Sequence, residues 1–295
     1  MKKALTLERN KRVWELDFLR GLSILLVVWD HAMYDFARVF SSWATGPSDF
    51  LRSTYRFAHE YIYGDLRFLW RPAFLFLFFC TSGLCTALSK NNLFRGMRLW
   101  CVACAVSLVT FVAEAVSGEY AFALFGVLHC LAVCILSFCL VYWASKGITA
   151  LCAKLGKREY NTSVERWVST GLCFALVGIF IALHFTYNVT LSEMTKHYAY
   201  VISDSKWIGL FVVNDKWWTA DYFPLLPYIS FFYIGAGFSR VLYEKKRSLL
   251  PLVDGYWNRP FCFTGRHSLI VYLGGQVLAI VFGLLCNLAV FGKAF

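Results

Sequence analysis

The sequence predicts an all-α membrane protein: a polytopic bundle of about seven spanning helices with a cytoplasmic N-terminus. Three observations carry this. Hydrophobic residues make up 59% of the 295 positions and charged residues only 16%, a balance far from that of a soluble globular chain. The apolar residues gather into stretches close to the roughly 20 that a bilayer core requires. The cations concentrate in alternate connections between those stretches.

The stretches are 16–35, 68–88, 97–117, 122–144, 167–185, 223–243 and 267–291. The first has the charged lead of a secretory signal, but only HAMYDFARVF follows it, without a small-residue cleavage site. It reads as a retained helix. The second begins near Arg71 and Pro72, where a proline suits a first helical turn. Segment 50–66 reads as either a surface helix or a re-entrant piece. The two outer loops, 36–67 and 186–221, are long and rich in Trp, Tyr and His, as functional loops often are. The whole chain, 1–295, reads as one membrane-embedded domain.

A net charge of +11 would suggest nucleic acid in a soluble protein. Here its distribution explains it. Lys2, Lys3, Arg9, Lys11 and Arg12 precede the first span. Lys90, Arg95 and Arg98 follow the second, and Lys146, Lys154, Lys157, Arg158 and Arg166 follow the fourth. Lys245, Lys246, Arg247, Arg259 and Arg266 follow the sixth. All fall on one side if the N-terminus is inside, and an odd span count then puts the C-terminus outside. On the opposite side Arg38, Arg52, Arg56, Arg67 and Lys196 are balanced by Asp49, Asp65, Glu119, Glu193 and Asp204. Of eleven cysteines, most lie inside predicted spans as small hydrophobes. Cys101 and Cys104 form a CxxC pair, but no second pair stands at a zinc-like spacing, so no metal is expected.

Ionisable residues inside the first span demand a reason. From Arg20 to His31 the helix turns about 1100°, which leaves roughly 20° after whole turns. Asp17 lies about 40° to one side of His31 and Asp35 about 40° to the other. These four residues form one stripe, which must face other helices or a watery cavity rather than lipid. Asp30 points about 100° away. By depth, the outer layer holds Asp30, His31, Asp35, Arg71, Glu114 and His129, with Asp221 and Tyr222 before the sixth span. The inner layer holds Asp17, Arg20, Lys90, Arg95, Arg98, Arg266 and His267. Plainer readings stand beside each. Arg95 and Arg98 are also ordinary positive-inside residues. Asp17 with Arg20 is also an i, i+3 ion pair. His129 is also a packing residue, and Arg71 also a helix cap.

At these residues the chain resembles a known family. RVWELDFLRGLSILLVVWDHAMYDF (12–36) is similar to the opening helix of the heparan-alpha-glucosaminide N-acetyltransferase family in its bacterial branch. More distantly it resembles the membrane acyltransferase type 3 proteins. FLWRPAFLFLFFCTSGLCTALSKNNLFRG (68–96), FGVLHCLAVCILSF (125–138), DYFPLLPYISFFYIGAGFSRVLY (221–243) and GRHSLIVYL (265–273) resemble the remaining blocks in order. The likeness covers about 11–277. It implies a multi-pass enzyme of the cell membrane that takes an acetyl group from cytosolic acetyl-CoA, as co-substrate, and delivers it to a sugar or glycan across the bilayer. Where the family often continues with a His-Gln-Pro-like run, this chain has Gly275, Gln276 and Val277.

The mechanism then expected places His31 as base or nucleophile, Asp35 as the carboxylate orienting it, and Arg71 or His129 at the oxyanion. Arg20, Arg95, Arg98 and Arg266 would hold the phosphates of CoA. Asp221, Tyr222 and Gln276 would meet the acceptor. Expected partners are acetyl-CoA, the acceptor and the bilayer, with a homodimer as an open option and no nucleic acid. The rival reading is a transporter or proton path along the same polar stripe. Transporters usually show two related halves, and none is visible here.

Overall fold

The computed structural model describes residues 13–118, 121–190, 192–195, 198–201, 206–213, 219 and 221–292. Lys2, Lys3, Arg9, Lys11, Arg12, Glu119, Lys196 and Asp204 of the charge argument lie outside them. Among the described residues there are nine α-helices: α1 Trp14–Arg38, α2 Asp49–Tyr63, α3 Asp65–Leu84, α4 Asn92–Ser117, α5 Val127–Leu155, α6 Thr162–Thr190, α7 Tyr228–Leu242, α8 Arg259–Arg266 and α9 Ser268–Phe291. The class is all-α, as expected. One short hairpin of β1 Ser192–Thr195 and β2 Tyr198–Val201 stands between α6 and α7, with Ser192 opposite Val201.

Each of the seven predicted stretches falls on a helix. Four of these are long and apolar enough to cross a membrane: Asn92–Val116 of α4, α5, Thr162–Thr186 of α6, and α9. The other three fall short for visible reasons. α1 is 25 residues long but carries Glu15, Asp17, Arg20, Asp30 and Asp35. α3 carries Asp65, Arg67 and Arg71 in its first half. α7 has only 15 residues because Pro224 and Pro227 stand before it. That length rises about 22 Å, short of the ~30 Å hydrocarbon core.

Two local expectations change. α3 begins at Asp65, so Pro72 lies in its interior rather than its first turn, where it lacks the N–H of the normal ladder. Arg71 therefore caps no helix start. Segment 50–66 resolves into α2, an amphipathic helix of its own. Leu51, Ala58, Tyr61 and Ile62 are buried on one side of it, while Arg56, His59 and Glu60 are exposed.

The described residues form two compact units, Val13–Phe78 with the chain from Leu250 onward, and Phe79–Leu249. In the first, α1 is the spine. α8 crosses it at paired glycines. A Cβ on Gly21 would fall on the carbonyl oxygen of Phe261, and one on Gly265 would fall on that of Asp17. Only glycine allows backbones so close. α9 runs parallel to α1. Val28 meets Gly275, Phe36 meets Phe282, and Phe40 fills the slot left by Gly283. Phe40 and Trp43, both 0% exposed, pack with Leu51 under the α1–α2 connection.

In the second unit α4 to α7 pack in sequence, α7 also against the end of α3. Gly83 faces the Phe232 carbonyl and Gly235 that of Cys80, the same device again. Thr86 and Ser239 hydroxyls pair at 3.1 Å, and Tyr233 donates to Ser137 at 3.0 Å. Such polar links between apolar helices satisfy groups that lipid would strand.

Candidate active site

The imidazole of His31 is half-buried on α1, two-thirds of the way along the helix. Its Nδ1 lies 2.9 Å from the carbonyl of Val27, one turn back. A carbonyl only accepts, so this contact holds the Nδ1–H tautomer and leaves the lone pair on Nε2. The edge of the ring meets Tyr272 of α9, centroids 5.6 Å apart. Asp35 is one turn further along α1, with Oδ2 buried. The backbone of α1 thus engages Nδ1, and Asp35 stands one turn from the ring as the carboxylate expected to orient it and to favour its positive form.

Gln276 is on α9 between the Val28–Gly275 and Phe36–Phe282 contacts, and so at the level of His31. Its Nε2 is buried and has no hydrogen-bond partner among the described residues. Next to it a Cβ at Gly275 would come within 2.5 Å of Val28 Cγ1. The space beside Gly275 is filled by this valine side chain of α1.

Asp30, 5% exposed, points to the other side of α1, as the periodicity predicts. What the periodicity does not reveal is its company. Arg67 clasps the carboxylate through Nε at 2.6 Å and a terminal nitrogen at 2.8 Å. Arg71 Nε is 3.4 Å away, and the Tyr61 hydroxyl donates at 3.1 Å. Trp70 donates in turn to Tyr61 at 3.2 Å. Burial and the Asp30 charge push the Tyr61 hydroxyl up to about 12, so it stays protonated and donating at neutral pH. Arg71 is therefore drawn to Asp30, the carboxylate beside the catalytic candidate. Sequence reading missed Asp30 and Arg67 as partners. The available signal was Arg67 and Arg71 at i, i+4 on one face of α3.

Further down the stripe, Arg20 donates to Ser268 at the start of α9 at 3.0 Å. Asp17 accepts from Arg266 Nε at 3.0 Å, 249 residues away, rather than pairing with its near neighbour Arg20. In the other unit Arg95 donates to the Ser82 hydroxyl at 2.5 Å, Gly96 packs on Leu136, and Arg98 is exposed. Neither Gly265 nor Gly96 is left for a ligand to approach. Both serve helix crossings.

His129 is 6% exposed, edge-on to Trp100 and stacked on Phe125 at 5.7 Å. Asp221 Oδ2 accepts from the Val127 amide at 3.3 Å and so caps α5, whose N-cap residue Gly126 has no side chain to do it. A Cβ on Gly126 would strike that carboxylate. The Tyr222 hydroxyl lies against the Gly209 and Val212 carbonyls and ties a loop. Among the described residues no group of three His, Cys, Asp or Glu side chains is placed to hold a metal ion.

A family model described as heparan-alpha-glucosaminide N-acetyltransferase, catalytic, matches residues 12–277. The chain belongs to that family. No curated protein and no solved structure matches it. Membership of an acetyltransferase family, together with four membrane-competent helices, makes this chain a transmembrane acetyltransferase. For the heparan-alpha-glucosaminide N-acetyltransferase family the match runs from just before α1 into α9, and so includes His31, Asp30, Gln276 and the Asp17–Arg266 pair.

Proposed function

We propose that the protein moves an acetyl group from cytosolic acetyl-CoA to an amine or hydroxyl of a sugar or glycan on the far side of the cell membrane, with His31 at the reaction centre. The observation that carries this is the Nδ1 contact to Val27, which holds the Nδ1–H tautomer and makes Nε2 the proton-accepting nitrogen of a ring set edge-on to Tyr272. In direct transfer, Nε2 takes the acceptor's proton while the acceptor oxygen or nitrogen attacks the thioester carbon. The C–S bond then breaks, and the imidazolium returns its proton to the leaving thiolate. In the two-step route Nε2 itself carries the acetyl group between donor and acceptor. In both, Asp35 favours the positive ring by its charge, and Arg71 or His129 remains the candidate for the oxyanion. The buried amide of Gln276 offers a donor to an acceptor hydroxyl, with Asp221 and Tyr222 as further acceptor-side candidates. Arg20 and Arg266 in one unit, and Arg95 and Arg98 in the other, are the arginine candidates for the CoA phosphates.

The topology that goes with this has the N-terminus inside and about seven crossings. The parallel course of α1 and α9 supports it, since two spans of one direction bound an odd number of crossings. The test is acetyl transfer by purified protein to an amino sugar, with CoA release as readout. His31→Ala should lower turnover about 10²- to 10⁴-fold while CoA binding persists. Near-normal turnover would remove His31 from the mechanism. A transporter would leave acetyl-CoA intact.

A further inference from the structure

Three of the four arginines expected at the CoA phosphates are already bonded within the protein: Arg20 to Ser268, Arg95 to Ser82 and Arg266 to Asp17. Other cations surround open space. Within the unit Phe79–Leu249, the ends of α3 and α7, the starts of α4 and α6, and the middle of α5 enclose a cavity of about 690 Å³. Lys90, Arg166, Arg240 and Lys246 line it against two carboxylates. Arg240 is 3.0 Å from Glu165, and Arg166 is paired with Glu244. Lys90 and Lys246 are exposed at the rim and have no ion pair among the described residues. The excess of two positive charges is therefore theirs.

The rest of the lining is partly polar. Tyr142 carries the Arg240 guanidinium at 4.6 Å and the Lys146 ammonium at 4.5 Å from its ring centroid, so the aromatic face left open to the cavity is that of the exposed Trp143. At the first turn of α4, Asn92 donates to the Thr86 carbonyl at 3.0 Å, but its Oδ1 is buried with no donor. Cations for phosphate and an exposed indole for a base together describe a nucleotide, and the volume is that of a small-molecule site.

We propose that this cavity binds the phosphate-bearing adenosine end of the acyl donor, with Lys90 and Lys246 on the phosphates and Trp143 against the base. The proposal rests on the reading that the donor is an acyl-CoA. An anionic lipid headgroup shares the phosphate chemistry but has no base to stack.

The probes are CoA and adenosine 3′,5′-bisphosphate, titrated into the full-length protein in neutral detergent. The variant is Lys90→Ala with Lys246→Asn, since Asn tolerates the positive φ of 51° at that position. Each lost charge-assisted contact should cost affinity, and the pair should weaken both probes at least tenfold. The same thermal midpoint as wild type would show that the fold is intact. Trp143→Ala should weaken the bisphosphate but leave inorganic pyrophosphate unchanged. Unchanged affinity in the double variant overturns the cavity assignment and leaves the acetyltransferase reading standing. Displacement of CoA by phosphatidylglycerol but not by the bisphosphate also overturns it. No CoA binding by the wild-type protein would sink both.

Discussion

Asp30 and His31 are neighbours on α1 with opposite work. Asp30 is buried among Arg67, Arg71 and Tyr61, a charge made tolerable by its partners. Asp30→Asn would leave two guanidinium groups short of their carboxylate. Breaking a buried pair costs about 3–5 kcal/mol, so thermal unfolding in detergent should show a clear drop in midpoint. A midpoint within a degree of wild type would mean that the cluster is solvated. Asp35→Asn should behave differently. The shape is kept and His31 stays on Val27, but the imidazolium loses a stabilising charge. A loss of ~1.4 kcal/mol there is about tenfold in rate. The expected result is a kcat at least that much lower with an unchanged unfolding midpoint. An unchanged kcat would take Asp35 out of the mechanism.

At the level of elements, α1, α8 and α9 are assembled by residues with no side chain. Gly21 and Gly265 let α8 cross α1, and Gly275 lets α9 approach Val28. Filling such a contact in a packed interior costs about 1–3 kcal/mol. Gly275→His, which would install the histidine that the family resemblance leads one to expect, should therefore destabilise the protein. Val28→Ala in the same chain should recover part of the loss. If Gly275→His alone unfolds like wild type, the helices are not in the contact described. The seven apolar stretches were legible as helices because span composition is local. The short helix α8 and the start of α3 at Asp65 were not, because charged residues within them hide the helical period.

For the whole molecule the prediction concerns sidedness. Cysteine placed at Lys157 should resist a membrane-impermeant reagent in intact cells, and at Lys196, outside the described residues, it should react, in a background without reactive cysteines. The reverse pattern would invert the proposed topology and rule out entry of CoA from the cytoplasm at these cations. Composition and charge distribution by themselves determined that this is a multi-span membrane protein, and helical periodicity determined that Asp17, Arg20, His31 and Asp35 share a stripe. These are local properties, set by side-chain transfer energies and by about 100° per residue. Which partner each charge takes was decided only in three dimensions. Asp17 reaches across 249 residues to Arg266, and Asp30 takes Arg67 and Arg71. The expected Arg20, Arg95 and Arg266 are occupied, while Lys90 and Lys246 stand at the rim of a cavity. Inside a membrane protein a charge must be satisfied by whichever group the neighbouring helix presents, and helix packing, not sequence distance, chooses that neighbour.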